Sequence, residues 1–141
     1  MPKIKLDLEQ VNKIIESLNR FSIKPETVIL HGSYAKGTYV EGVSDYDIIV
    51  VSRDFEGMRM EERLSLLADA FKGFKPRIEA IGYTKEEIKR EMKRINPLVL
   101  DALEYGSPIY GKESFRELKE EFEKLKRKLN LKPIKGGWKY D

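Results

Sequence analysis

His31-Gly32-Ser33-Tyr34-Ala35-Lys36-Gly37, followed by Asp45-Tyr46-Asp47-Ile48-Ile49-Val50-Val51, is the stretch on which the reading of this chain turns. The second half is the strongest strand signal in the sequence. Its unbroken apolar end reads as a strand buried on both faces. Side chains alternate along a strand, so Asp45 and Asp47 share one face, two residues apart. The first half closes a β-branched run, Thr27 to His31, that breaks at Gly32. There a strand gives way to what reads as a helix start. Ser33 to Ser44 carries Gly37 and Gly42 without a long periodic pattern, which predicts a short helical turn and a loop.

Outward from this stretch, helices and strands alternate. Leu8, Val11, Ile15 and Leu18 recur at helical spacing behind Asp7, a fitting N-cap. Met60, Leu64, Leu67, Ala68 and Phe71 read as one stripe of a helix over Met60 to Phe71. Arg77 to Gly82 is a third strand, and Thr84 with Glu87 forms a capping box for the next helix. Asn96-Pro97 has the cap and first-turn chemistry of another short helix, which Gly106 ends. Pro108 to Tyr110 fits only an edge strand. The last helix, about Ser114 to Leu129, places Phe115, Leu118, Phe122, Leu125 and Leu129 on a seam of about two heptads. Packing on the parent domain is preferred for it over a homodimer or partner-docking helix. No structure is assigned to the tail Pro133 to Asp141. Strands alternate with helices in a single α/β arrangement.

Composition narrows the function classes. A chain of 141 residues makes one domain, and 27 Lys+Arg against 24 Asp+Glu leaves a net charge of only +3. That balance argues against a nucleic-acid binder driven by bulk charge, and the basic residues of the last helix are interleaved with glutamates. The absence of cysteine excludes disulfides, thiolate zinc sites and cysteine catalysis. No apolar run reaches membrane-spanning length and no signal-peptide core precedes the first helix, so a soluble, cytoplasmic protein without a membrane partner is expected. Few amides and many Lys and Glu lean toward a thermophilic source.

The chemistry concentrates in the opening stretch. Two carboxylates side by side at the start of an apolar strand repel unless a cation compensates. Magnesium is the natural one, since it takes oxygen ligands and keeps positions for water and phosphates. Two such ions about 4 Å apart clamp both oxygens of an in-line phosphoryl displacement. Gly32 lets a phosphate approach the backbone, Ser33 adds a hydroxyl at the helix start, and Lys36 supplies a point charge one turn on. The spacing of Gly32 and Gly37 does not make a Walker A loop, because Thr38 stands where its lysine belongs.

Together these residues resemble the signature of the minimal nucleotidyltransferases, small members of the DNA polymerase beta-like nucleotidyltransferase superfamily. The family pattern is Gly-Ser, about ten residues, then Asp-x-Asp. Here eleven residues, Tyr34 to Ser44, intervene, with the extra one near Gly42. The family usually has arginine where Lys36 stands. The resemblance spans roughly Thr27 to Gly111 and implies the nucleotidyltransferase fold, an α/β domain with a small mixed sheet and helices mainly on one side, over residues 1–111, with residues 112–141 a helix and tail packed on it. It implies a third carboxylate at Glu79, where most catalytic members place aspartate; Arg77, on the same strand face, is a neutralising partner for it. Implied too are two magnesium ions held by Asp45, Asp47 and Glu79. ATP would be the donor of AMP to an acceptor hydroxyl. The antitoxin role of a pair with a HEPN ribonuclease toxin, silenced by adenylylation of a tyrosine, is an expectation from family.

The competing reading is a catalytically decayed protein of the same fold that serves as a partner-binding module, with Glu79 and Lys36 marking the decay. Convergence of Asp45, Asp47 and Glu79, or the capture of Glu79 by Arg77, separates the two. Among the remaining polar and aromatic residues, His31 reads as a strand-end residue, Ser33 also as an N-cap, and Tyr34, Tyr39 and Tyr46 as packing.

Overall fold

The strands read from the opening stretch form the centre of a four-stranded mixed sheet. In the computed structural model, which describes residues 6–40 and 45–140, β1 (Thr27–His31) and β2 (Tyr46–Val51) run antiparallel. Ile29 lies opposite Ile49, and His31 opposite Asp47. β3 (Ile78–Tyr83) is parallel to β2 with Asp47 beside Glu79, and β4 (Ser107–Tyr110) is antiparallel to β1. The order β3-β2-β1-β4 leaves β4 at an edge, where proline is tolerated. The expected loop residues Glu41 to Ser44, Gly42 among them, lie outside the described residues.

Local chemistry sets the helix starts. Asp7 and Thr84 close capping boxes on α1 (Leu8–Arg20) and α4 (Lys85–Lys93), and Asn96 caps α5 (Pro97–Tyr105) with Pro97 in its first turn. The other helices are α2 (Gly32–Lys36), α3 (Met60–Ala70) and α6 (Lys112–Leu129).

Two cores flank the sheet, because both faces of β1 and β2 are apolar. Val28, Leu30, Ile48 and Val50 pack with Ile14 and Leu18 of α1 and Leu67 and Ala70 of α3. Ile29, Ile49 and Val51 pack on the other side with α4, α5 and α6, where Leu118 and Phe122 are fully buried. Helices therefore cover both faces, and the expected bias to one side is corrected: a strand pair apolar on both faces needs cover on both.

Two further differences from the sequence reading bear on function. The stripe of α3 divides: Leu67 and Phe71 are buried, while Met60, Leu64 and Ala68 are exposed. Arg63 takes the inward place, because Glu87 and two carbonyls satisfy its guanidinium. The tail folds as a hairpin, β5 (Lys132–Ile134) and β6 (Gly137–Lys139), around Gly136 at φ 81°. Trp138 of β6 sits edge-on to Phe122, with ring centres 5.9 Å apart. Among the described residues no helix is long and apolar enough to cross a membrane.

Candidate active site

Register puts three chemistry-bearing side chains in a row. His31 pairs with Asp47 across β1 and β2, and Asp47 pairs with Glu79 across β2 and β3, so all three point to one face of the sheet. This is the face covered by α4, α5 and α6, and the row lies at its open end. Gly32 follows at φ 70°, in left-handed space, and a methyl group on it would overlap the Asp47 carboxylate. Only glycine lets the start of α2 press its backbone against Asp47. Gly37, at φ 77°, closes α2 by donating its N–H to the Ser33 carbonyl. The Ser33 hydroxyl itself has no hydrogen-bond partner among the described residues.

Negative charge crowds around Asp47. Partial burial pushes the Asp47 carboxyl above its usual range, and the nearby Glu79 and Asp45 charges add to the shift. Arg77 answers part of that charge: its Nη2 donates to Asp45 Oδ2 at 2.9 Å and to Glu79 Oε1 at 3.3 Å. The hydrogen bond to Asp45, and then the two negative charges, hold the guanidinium above its ordinary pKa. Glu79 is 60% exposed and Arg77 71%. The expected neutralising partner of Glu79 is therefore in place, and it reaches Asp45 as well.

Among the described residues no three acidic or histidine side chains close on one point as a complete metal cage. Magnesium does not require one, since it takes one or two carboxylates and fills the rest with water and phosphate oxygens. Hard oxygen donors, a carboxyl strained by its acidic neighbours and a cation already drawn to them make a donor set that fits this ion.

Asp47 and Glu79 open into a cleft of about 840 Å³, which Gly32, Lys36 and Arg77 also line. Ser33 and Asp45 stand just outside its lining. Lys36 reaches Asp101 Oδ2 at 3.4 Å and lies 4.9 Å from the centre of the Tyr105 ring. Asp101 also accepts from Trp138 Nε1 at 2.8 Å, so the tail hairpin is tied to the lysine through one carboxylate. Asp101 did not stand out in the sequence, and Trp138, the only tryptophan, fell in a tail to which no structure was assigned. The signal for Asp101 was there as a single charge inside the apolar run Leu98 to Leu103. His31 is buried, which lowers its pKa to about 4, with Asp101 and a backbone hydrogen bond to Ile48 pulling the other way. It is neutral at physiological pH. Tyr34 and Tyr46 are buried, and Tyr34 stacks on Tyr39 at 4.6 Å, so these aromatics pack as expected.

Comparison with known proteins identifies the family and the fold. The nucleotidyltransferase domain family matches residues 8–129, and the chain belongs to that family, among whose members the minimal nucleotidyltransferases fit it. A Methanocaldococcus jannaschii protein named "putative protein adenylyltransferase" is 30% identical over 137 residues, 92% of this chain and 90% of that one. Two solved structures share the fold at a TM-score of 0.54, each covering 84% of this chain and 87% of the other. One is a toxin–antitoxin with AMP-PNP, 20% identical, and the other a mutant of the toxin–antitoxin MntA–HpeT, 18% identical.

Proposed function

We propose that the protein transfers AMP from ATP to a hydroxyl group of a protein acceptor, with magnesium, and that it acts as the antitoxin of a pair whose toxin is a HEPN-type ribonuclease. The observation that carries this reading is the contact of Gly32 with Asp47 beside Glu79, because it brings a phosphate-binding turn onto a pair of carboxylates. The name of the Methanocaldococcus relative and the toxin–antitoxin assemblies of the structural neighbours support the substrate class and the partner.

In this reading Gly32 and Ser33 hold the triphosphate through backbone N–H and hydroxyl donors, and Lys36 adds a point charge. Asp45 and Asp47 would hold magnesium, and Glu79 would either complete the set or help deprotonate the acceptor hydroxyl. Bound magnesium supplies Lewis-acid stabilisation of the charge that develops on the phosphate oxygens. The acceptor oxygen forms a bond to the α-phosphorus while the bond from that phosphorus to the β-phosphate oxygen breaks. Pyrophosphate leaves with the electron pair. The hydroxyl proton passes to a carboxylate or to water.

Calorimetric titration of ATP with and without magnesium tests the site without knowledge of the acceptor. Magnesium-dependent binding is expected in the natural protein and a loss of about 100-fold or more in the Asp45→Asn, Asp47→Asn double variant. Absence of binding by the folded natural protein would sink the enzyme reading. One observation favours the alternative of a decayed site that binds a partner: Arg77 already bridges Asp45 and Glu79. Both partners of the Glu79 contact are largely exposed, however, and pairs of that kind are readily displaced by a divalent ion.

A further inference from the structure

β3 is an edge strand, and its outer backbone is bare beside the carboxylates. The Arg77 carbonyl accepts from Tyr46 N–H and the Tyr83 carbonyl from Ser52 N–H. By the parity of a parallel ladder, Arg77, Glu79, Ile81 and Tyr83 turn their backbone groups toward β2, and Ile78, Ala80 and Gly82 turn theirs away. The Gly82 carbonyl is taken by Arg63 Nη1 at 3.1 Å. Ile78 and Ala80 have no such partner on their outer side among the described residues. The large cleft straddles this bare edge: Leu64 and Ala68 of α3 wall one side, Leu98 of α5 the other, and Ile78 and Ala80 lie between. Leu64 is 50% exposed, and Met60, one turn away, extends the apolar wall at 39%.

An unpaired strand edge between apolar walls is complementary to an extended polypeptide, whose peptide groups recur every second residue as the free groups of Ile78 and Ala80 do. Glu79 sits between those two residues on the Asp47 face. In a strand laid along this edge, alternate side chains would therefore face Asp47 and Glu79 or the Leu64 wall.

The geometry points to the β3 edge as the docking site of the acceptor: an extended segment of a partner protein adds as a fifth strand along Ile78–Ala80 and delivers one hydroxyl side chain over Asp47 and Glu79. Arg63 ends the free edge at Gly82 and so limits the register. The inference rests on the transfer reading above. The chemistry is the same, with the delivered oxygen bonding the α-phosphorus, pyrophosphate leaving, and the proton passing to a carboxylate or water.

The test uses the full chain, magnesium, α-labelled ATP and a degenerate peptide library with a fixed central tyrosine. Labelled peptides are expected to show selection for apolar residues at alternate positions. N-methylation of the backbone amides that pair with β3 should lower labelling about tenfold, the loss of roughly one hydrogen bond, while methylation of the amides between them should not. Leu64→Glu, an exposed change, should lower labelling without moving the unfolding midpoint. Labelling without alternation that tolerates N-methylation would overturn the inference. So would magnesium-dependent ATP binding by the natural protein with no peptide labelled. A dimer in sedimentation with Ile78 and Ala80 amides protected from exchange would give the edge to a second copy and overturn it equally. If the natural protein binds no ATP, the transfer reading itself has failed, and this inference falls with it.

Discussion

At the far end of β3, Arg63 is 4% exposed and gives Nη1 and Nη2 to the Glu87 carboxylate at 2.6 and 3.0 Å, with Nη1 also bonding the Gly82 carbonyl and Nε the Met58 carbonyl. At the near end, Arg77 stands in solvent and touches Asp45 and Glu79 through one nitrogen. The residue types are the same and the consequences differ. Arg63 is a buried bidentate clamp holding α3, β3 and α4 together, with its donors used on a half-buried carboxylate and two carbonyls. Arg77 is a loose counter-charge over carboxylates that repel one another. A pair made where water is excluded serves the fold, and a pair made where water competes leaves its carboxylates free to take another cation.

Removing the clamp should have the largest effect. Arg63→Met leaves Glu87 without its bidentate partner and takes a donor from two carbonyls, and should cost about 3 kcal/mol in urea unfolding. The clamp also sets a pH dependence. The Arg63 hydrogen bond holds the Glu87 carboxyl below its ordinary value of 4.5. Its contribution is fully present above that ordinary value and disappears as pH falls through the lowered pKa. The difference between natural protein and Arg63→Met should shrink in acid. A gap that stays constant from neutral pH down through that acid range would break the comparison.

Gly32→Ala comes next. The left-handed conformation alone should cost about 1–2 kcal/mol. The added methyl must also displace the Asp47 carboxylate, so magnesium-dependent ATP binding should fall with stability. Unchanged binding would detach Gly32 from the site.

Asp47→Asn should move stability the other way. The Asp47 carboxyl is pushed up by burial and by two acidic neighbours, so its charged form costs the folded state. That cost is present above the raised pKa and vanishes below the ordinary value of 3.8, where both states are protonated. At neutral pH the variant should melt slightly above the natural protein while losing nucleotide binding; a lower melting point would mean that Asp47 holds the fold. Arg77→Gln should have the smallest effect on the fold, with no measurable change in unfolding midpoint, and should bind manganese more tightly in the absence of nucleotide. A fall in stability like that of Arg63→Met would make the two ends of β3 alike.

Most elements were legible because their signals are local. The cap at Asp7, the capping box at Thr84, Pro97 in a first turn and the apolar run after Asp47 all act within a few residues. The tail hairpin was missed because its strands are three residues each, too short for an alternation to register. The outward turn of Leu64 was missed for a different reason. Helical spacing could not choose between two overlapping stripes, and a partner on α4 drew Arg63 inward in its place.

For the site, the sequence by itself determined the turn Gly32-Ser33, the pair Asp45 and Asp47 on one strand face, and the family they resemble, because spacing along one chain segment fixes those relations. Only the tertiary structure decided that Asp47 lies beside Glu79, that Arg77 reaches across to Asp45, that Asp101 ties Lys36 to Trp138, and that β3 has a bare edge. Each of these depends on which strand or helix comes to lie next to which. That choice is made by burying two apolar faces at once, which no local period encodes.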